Sequence, residues 1–228
     1  MATYPNTTSA SDIWSLRDVY KAEAGDEWPE VPPEIGDVYK GGIFAGQIND
    51  GGVIYNLVLA PEASGESSTD LEFKTTNTAT SGTASTTDGP ANTAAMITAG
   101  ASAHPAADFC NNLSIGGFTD WYLPAQDELE VIYYNLKPST GSNDTNYGTN
   151  TNAVPARNSN YTTGDPAQTS VTDFQTGNTE AFRITNYRSS TTAGSSTAVS
   201  LSFGNGRLFN FPKDYTYPVR AVRRVEAT

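Results

Sequence analysis

Cys110 and His104 are the single cysteine and single histidine of the chain, and together they are its only candidates for a thiolate–imidazole pair. Their spacing argues against one. A helix beginning at Pro105 puts Cys110 on a face with Ala106, Phe109 and Leu113, while His104 stands six positions away, before the helix starts. Cys110 therefore reads as core, and one cysteine provides neither a disulfide framework nor a thiolate metal site. The acids Glu62, Glu66, Asp70 and Glu72 are too irregularly spaced for an EF-hand loop. No metal or other cofactor is expected. Scattered acids could form a glycosidase pair, but spacing cannot place two of them across one sugar, so the chain is not read as an enzyme. The chemistry that remains is recognition. Between Ser139 and Glu180 the chain is rich in Asn, Thr, Gly and Tyr and nearly without charge. Loop aromatics beside amides and hydroxyls can stack on sugars and hydrogen-bond to them. Tyr147, Tyr161, Asp165, Asp173, Phe174 and Arg188 are the candidate ligand contacts.

The elements that must hold these loops have clear local signals. Val38-Tyr39 and Gly42-Ile43-Phe44 flank a glycine turn, and Val53 to Leu59 follows Asn49-Asp50-Gly51-Gly52, which is hairpin grammar. Residues 61 to 90 are a Ser/Thr/Gly-rich excursion. A short helix is expected after Asn92 and Thr93, and a second from Pro105. A third should run from Pro124 to Lys137, where Leu129, Ile132, Tyr133 and Leu136 form one apolar stripe and Asp127 and Glu128 suit the helix start. Just before it, Asp120-Trp121-Tyr122 reads as a buried aromatic corner with a capping carboxylate. Ala198 to Phe203, Arg207 to Phe211 and Tyr217 to Val225 predict a closing antiparallel sheet. The sum is an α+β domain with antiparallel hairpins, two or three short helices and long polar loops. A structureless loop as long as Ser139 to Glu180 is usually functional, or conceals short hairpins.

Residues 1 to 34 look separate from a main domain at 35–228. Trp14 can staple onto Val19 around Ser15, Leu16, Val19, Tyr20 and Ala24 form an apolar face, and Gly25 stops the helix. Trp28-Pro29 and Val31-Pro32-Pro33 make a stiff linker. One helix of about ten residues does not fold usefully alone. It either packs on its own domain or is a peg for another chain.

Composition narrows the partners. At 228 residues the chain suits one full domain plus an appendage, and twelve Tyr and nine Phe argue for a real core. A net charge of −12 disfavours nucleic acid and anionic membrane surfaces, which need clustered Lys and Arg. Arg220, Arg223 and Arg224 are the one local basic cluster, and their alternation with Val219, Ala221, Val222 and Val225 fits a terminal strand pairing acids of its own domain. No stretch approaches the roughly twenty apolar residues of a membrane span. The start, Met-Ala-Thr-Tyr-Pro-Asn-Thr-Thr, has neither the basic residues nor the apolar run of a secretory signal. Assembly in a reducing cytoplasm is expected.

Several segments, in order, carry a family resemblance: Gly36-Asp37-Val38-Tyr39-Lys40-Gly41-Gly42-Ile43-Phe44, Gly89-Pro90-Ala91-Asn92-Thr93, Ala106-Ala107-Asp108-Phe109-Cys110, Gly116 to Leu129, Tyr187-Arg188-Ser189-Ser190, and Val219-Arg220-Ala221-Val222-Arg223-Arg224-Val225. Over about residues 35 to 226 the chain resembles the Lcl C-terminal domain family. The chain departs from that pattern at Arg188, in a place where members often carry Trp-Ser-Ser, and in an enlarged Ser139–Glu180 region. The resemblance implies a C-type-lectin-like fold, similar to that of the formylglycine-generating enzymes, of a kind found in bacterial surface proteins and phage virion proteins. The formylglycine generators need a reactive cysteine pair that this chain lacks. Ser11 to Leu16, with Tyr20 and Trp28-Pro29, resembles a short N-terminal module of phage structural proteins, which makes Trp14, Leu16, Val19, Tyr20 and Trp28 candidate virion-docking residues. The expectation is a phage virion protein, a tail fibre, spike or tip adhesin, assembled in the host cytoplasm and exposed on the particle. Other virion proteins and a host surface glycan or receptor are its expected partners. A homo-oligomer, as a trimer, suits a fibre protein, although no heptad repeat is present. Head decoration, a tail adaptor or a bacterial surface adhesin are the alternatives.

Overall fold

Turn chemistry starts the first sheet. Lys40 and Gly41, with φ of 44° and 88°, join β1 (Val38–Tyr39) to β2 (Gly42–Asp50), and Gly51 and Gly52, with φ of 61° and 95°, join β2 to β3 (Val53–Leu59). Both two-residue turns have the left-handed backbone that matches strand twist in a hairpin. The computed structural model describes residues 33–227, so the candidate docking residues Trp14, Leu16, Val19, Tyr20 and Trp28 lie outside the described residues.

Two further sheets follow among the described residues. β4 (Leu71–Glu72) pairs with β9 (Thr216–Tyr217), and β6 (Asn186–Thr192), β7 (Thr197–Ser202) and β8 (Leu208–Pro212) form a meander. β10 (Val222–Glu226) returns to pair with β3, while β5 (Ala153–Val154), a short bridge from the polar loop, adds to the far end of β2. Every strand pairing among the described residues is antiparallel. The expected closing sheet is therefore corrected in one respect. Arg207–Phe211 continues the meander, but the last strand joins the first sheet, because Val222 and Val225 complete the apolar rows of β3.

Four helices are described: α1 (Glu62–Gly65), α2 (Gly89–Gly100), α3 (Pro105–Asn111) and α4 (Gln126–Leu136). α2 begins earlier than Asn92 and Thr93 suggested. Asp88 caps it by accepting from the Ala91 N–H at 3.0 Å, which leaves Asn92 and Thr93 buried inside the helix, tied to Ser190 and Leu123. α4 has the expected stripe, with Leu129, Ile132, Tyr133 and Leu136 all buried. The sheet lies between two cores, since Leu57 and Leu59 enter one with α4 while Val58 enters the other with Phe73, Met96, Cys110 and Trp121. A strand covered on both faces reads as an unbroken apolar run, which is why Leu57 to Leu59 shows no alternation.

The aromatic corner obeys the same geometry. Trp121 points into one core and Tyr122 into the other. Asp120 is not the capping carboxylate: its side chain stays half exposed and pairs with Arg223. Glu128 does the capping, accepting from the Ala125 N–H at 2.7 Å while also taking the Tyr122 hydroxyl at 2.7 Å. The three arginines near the end each find acids, Arg220 with Glu180, Arg223 with Asp120, and Arg224 with Asp50 and Asp88.

Candidate functional site

The polar region from Ser139 to Glu180 is ordered by α4. Glu130, on that helix, binds Arg157, the Tyr161 hydroxyl and Asn150, and Tyr133 donates to Asn143 at 2.6 Å. Lys137 donates to the carbonyls of Gly141 and Pro166. Thr169 N–H bonds back to Lys137 O at 2.9 Å and Thr176 N–H to Pro138 O at 2.9 Å. The far part of the loop is thereby carried to the β1–β2 turn, where a single helical turn, Thr172–Phe174, forms.

There the loop and the hairpin enclose a half-open cavity of about 380 Å³. Val38, Ile43, Pro61, Val171 and Phe174 supply its apolar wall, and Asp173, Thr179 and Glu180 its polar groups. Gly36 lets the hairpin approach: it has φ of 96°, and a Cβ there would stand 2.6 Å from Val171. Phe174 is fixed from behind by stacking on Phe182 at 6.3 Å and by the Arg220 guanidinium. Glu180 is held through one oxygen, which accepts from the Glu62 N–H at 2.8 Å and from Arg220. Arg220 is wholly buried, and its other donors reach Ala60 O at 2.9 Å and Glu180 O at 2.8 Å. Glu180 Oε1, the Asp173 carboxylate and the Thr179 hydroxyl have no hydrogen-bond partner among the described residues. Open acceptors beside an apolar wall can bind a small ring bearing hydroxyl or amine donors.

Two of the six candidate contacts, Asp173 and Phe174, meet in this cavity. The other four do not join them. Tyr161 is corrected to a structural residue, buried against Tyr133 at 5.7 Å with its hydroxyl on Glu130, because the loop needs that anchor. Asp165 is exposed, 3.5 Å from the Tyr134 hydroxyl. Arg188 is wholly buried, so it is not an open contact. Its guanidinium lies over Tyr217 at 4.8 Å and donates to Tyr215 O, its Nε and Nη1 find no partner among the described residues, and burial brings its pKa down to about 10. Tyr147 is half-buried, 6.0 Å from Arg207.

Tyr147 and Arg188 instead mark the two ends of an aromatic row that sequence reasoning missed. Arg207 covers Phe209 at 4.8 Å, Phe209 stacks on Phe211 at 5.2 Å, and Phe211 stacks on Tyr215 at 6.2 Å and leans on Tyr217 at 5.0 Å. The signal was present in the alternation Leu208-Phe209-Asn210-Phe211. Leu208 packs on the core, which turns both phenylalanines to the other face of β8. β8 is an edge strand. The cavity left a fainter trace, Val38, an apolar residue 89% exposed beside a glycine turn.

The thiol and imidazole stay apart from both surfaces. Cys110 sits in the core with its pKa pushed up by burial, and His104 is buried between Thr80 and Gly100. Among the described residues no three of His, Cys, Asp or Glu gather as a metal-binding group, and no helix is long and apolar enough to cross a membrane.

Residues 66–223, more than half of the chain, match the sequence model of the Lcl C-terminal domain. The Asp173–Glu180 side of the cavity lies inside the matched span and the β1–β2 hairpin outside it. No curated protein and no solved structure shows a significant match to this chain.

Proposed function

The chain belongs to the Lcl C-terminal domain family, and from that premise we propose that it is a non-enzymatic phage virion protein, a tail fibre, spike or tip adhesin that binds a host surface receptor or glycan. In this reading the domain follows a C-type-lectin-like plan and faces outward on the particle, as a homo-oligomer, as in a trimeric fibre. The N-terminal segment with Trp14, Leu16, Val19, Tyr20 and Trp28 attaches it to other virion proteins. The observation that carries the binding role is the cavity of about 380 Å³, with three acceptor groups that have no hydrogen-bond partner among the described residues set against an apolar wall. The phage setting rests on the resemblance of Ser11–Leu16 and Trp28-Pro29 to a phage structural module.

Labelled full-length protein, applied to host cells and to immobilised host glycans, tests the proposal. Saturable binding is expected, weakened by Asp173→Asn. Absence of binding to both would sink it.

A purely structural role, as head decoration or tail adaptor, is the second reading, and the row Phe209, Phe211 and Tyr215 favours it. Stacked aromatics, with Phe209 and Phe211 half-buried on an edge strand and Tyr215 exposed just beyond it, are the kind of surface that another protein covers. An electron-microscopy map of the particle with that face buried, together with absent cell binding, would establish this reading over the first.

A further inference from the structure

The charge lining the cavity is unbalanced, and the imbalance specifies a ligand. Asp173 and Glu180 bring two carboxylates to it, and among the described residues the one cation that engages either of them is Arg220, buried behind Glu180. The nearby cations are occupied elsewhere. Arg183 is paired with Glu66 and Asp70, and Lys40, on the adjacent turn, lies over the Tyr39 ring at 5.8 Å and does not line the cavity. Two more acids stand beside lining residues: Glu62 follows Pro61, and Asp37 sits between Gly36 and Val38 with its carboxylate on the Glu34 N–H at 2.8 Å. A net negative cleft with low-dielectric walls concentrates cations. The acceptors there without a partner among the described residues are Glu180 Oε1, two oxygens of Asp173 and the Thr179 hydroxyl, more than the three N–H groups of one ammonium require. The surplus suits hydroxyl donors on the same molecule, and the wall of Val38, Ile43, Pro61, Val171 and Phe174 suits the C–H face of a ring.

We propose that this cavity binds an amino sugar through its protonated amine, a free hexosamine unit of a surface polysaccharide, with Asp173 as the residue that selects charge. The inference rests on the glycan-binding reading above and narrows it to one sugar class. The amine donates to Asp173 and to Glu180 Oε1, the ring hydroxyls reach Thr179, and Glu180 is oriented for this by Arg220 and the Glu62 N–H.

Titration of the full chain at pH 6 with glucosamine, glucose, N-acetylglucosamine and Nα-acetyl-lysine amide, followed by NMR or calorimetry, tests it. Glucosamine should bind at least tenfold more tightly than either uncharged sugar, and more weakly as salt is raised. Asp173→Asn should remove at least tenfold of that affinity without moving the thermal midpoint, because the Asp173 side chain is exposed and its carboxylate has no partner among the described residues. Thr179→Val should weaken both glucosamine and glucose. Equal affinity for glucosamine and glucose, an unaffected Asp173→Asn, tighter binding of the lysine amide, or no binding by any compound would each overturn the inference. Host-cell binding that persists in such a case leaves the adhesin reading standing, whereas loss of cell binding by the unaltered chain removes both.

Discussion

Glu128 shows how one carboxylate can be legible in kind and illegible in environment. The sequence places an acid at the third position of α4, where it can reach back to the N-cap. Only the fold reveals that it is wholly buried, with the Tyr122 hydroxyl and Ala125 N–H as donors, and that burial raises its pKa to about 7. A carboxyl raised above its ordinary value binds a proton in the native state that the unfolded chain has already released. Its contribution is therefore fully present at low pH and declines as pH rises toward 7. The folding stability of the unaltered chain minus that of Glu128→Gln should fall by about 2 kcal/mol between pH 5 and pH 7, read from urea unfolding at each pH. A difference that rises over that window would contradict the assignment. Asp120 has the opposite sign. Its hydrogen bonds with Arg223 hold it below the usual carboxylate range, but its half-exposed side chain makes the pair worth less than about 1 kcal/mol. At this scale the sequence identified Arg220, Arg223 and Arg224 as cations that would find internal acids. It did not say which acids, since Glu180, Asp120, Asp50 and Asp88 come from four separate parts of the chain.

Elements were most readable where their signals are local. The hairpin turns, the stripe of α4 and the start of α3 at Pro105 all follow from neighbouring residues. Gly46 was not readable in this way. It lies where the β2–β3 register shifts, with φ of 126°, and a Cβ there would stand 2.3 Å from the Asn135 amide and 2.7 Å from Val131. Gly46→Ala should cost about 2 to 3 kcal/mol of stability in chemical denaturation, since it joins backbone strain to a clash with α4. Gly51→Ala, in an open turn with nothing within 4 Å, should cost about 1 kcal/mol or less. The polar loop has its own control point in Glu130. Glu130→Ala takes the carboxylate from Arg157, frees the Tyr161 hydroxyl and removes one of the bonds that hold the Asn150 amide. Hydrogen exchange should then quicken across residues 143–161 while β2 and β3 keep their protection. Uniform quickening through both would mean that the loop and sheet unfold together. Nothing in the composition of Ser139 to Glu180 announced this order, because its anchors lie on a helix that precedes it.

For the whole molecule, two surfaces compete for the main role, and single substitutions separate them. If the cavity binds the host, Asp173→Asn should lower cell binding about tenfold while Phe211→Ala leaves it unchanged. If the β8 aromatics are a virion contact, Phe211→Ala should reduce incorporation into particles, measured by immunoblot of purified virions, while Asp173→Asn is incorporated normally. Reversal of both outcomes would exchange the two assignments. The sequence by itself determined the α+β class, the family, the hairpins, the buried corner at Trp121 and Tyr122, and the net charge of −12. The family rests on matched segments across residues 66–223, and the other features on turn residues, periodicity and charge count, which are properties of neighbours or of sums. Only the tertiary structure decided that Asp173 and Phe174 meet Val38 across a cavity, that Tyr161 and Arg188 are interior, and that β10 returns to β3 instead of closing the last sheet. Those outcomes depend on which surfaces, distant in sequence, bury each other, and burial between residues far apart in the chain leaves no periodic mark on it.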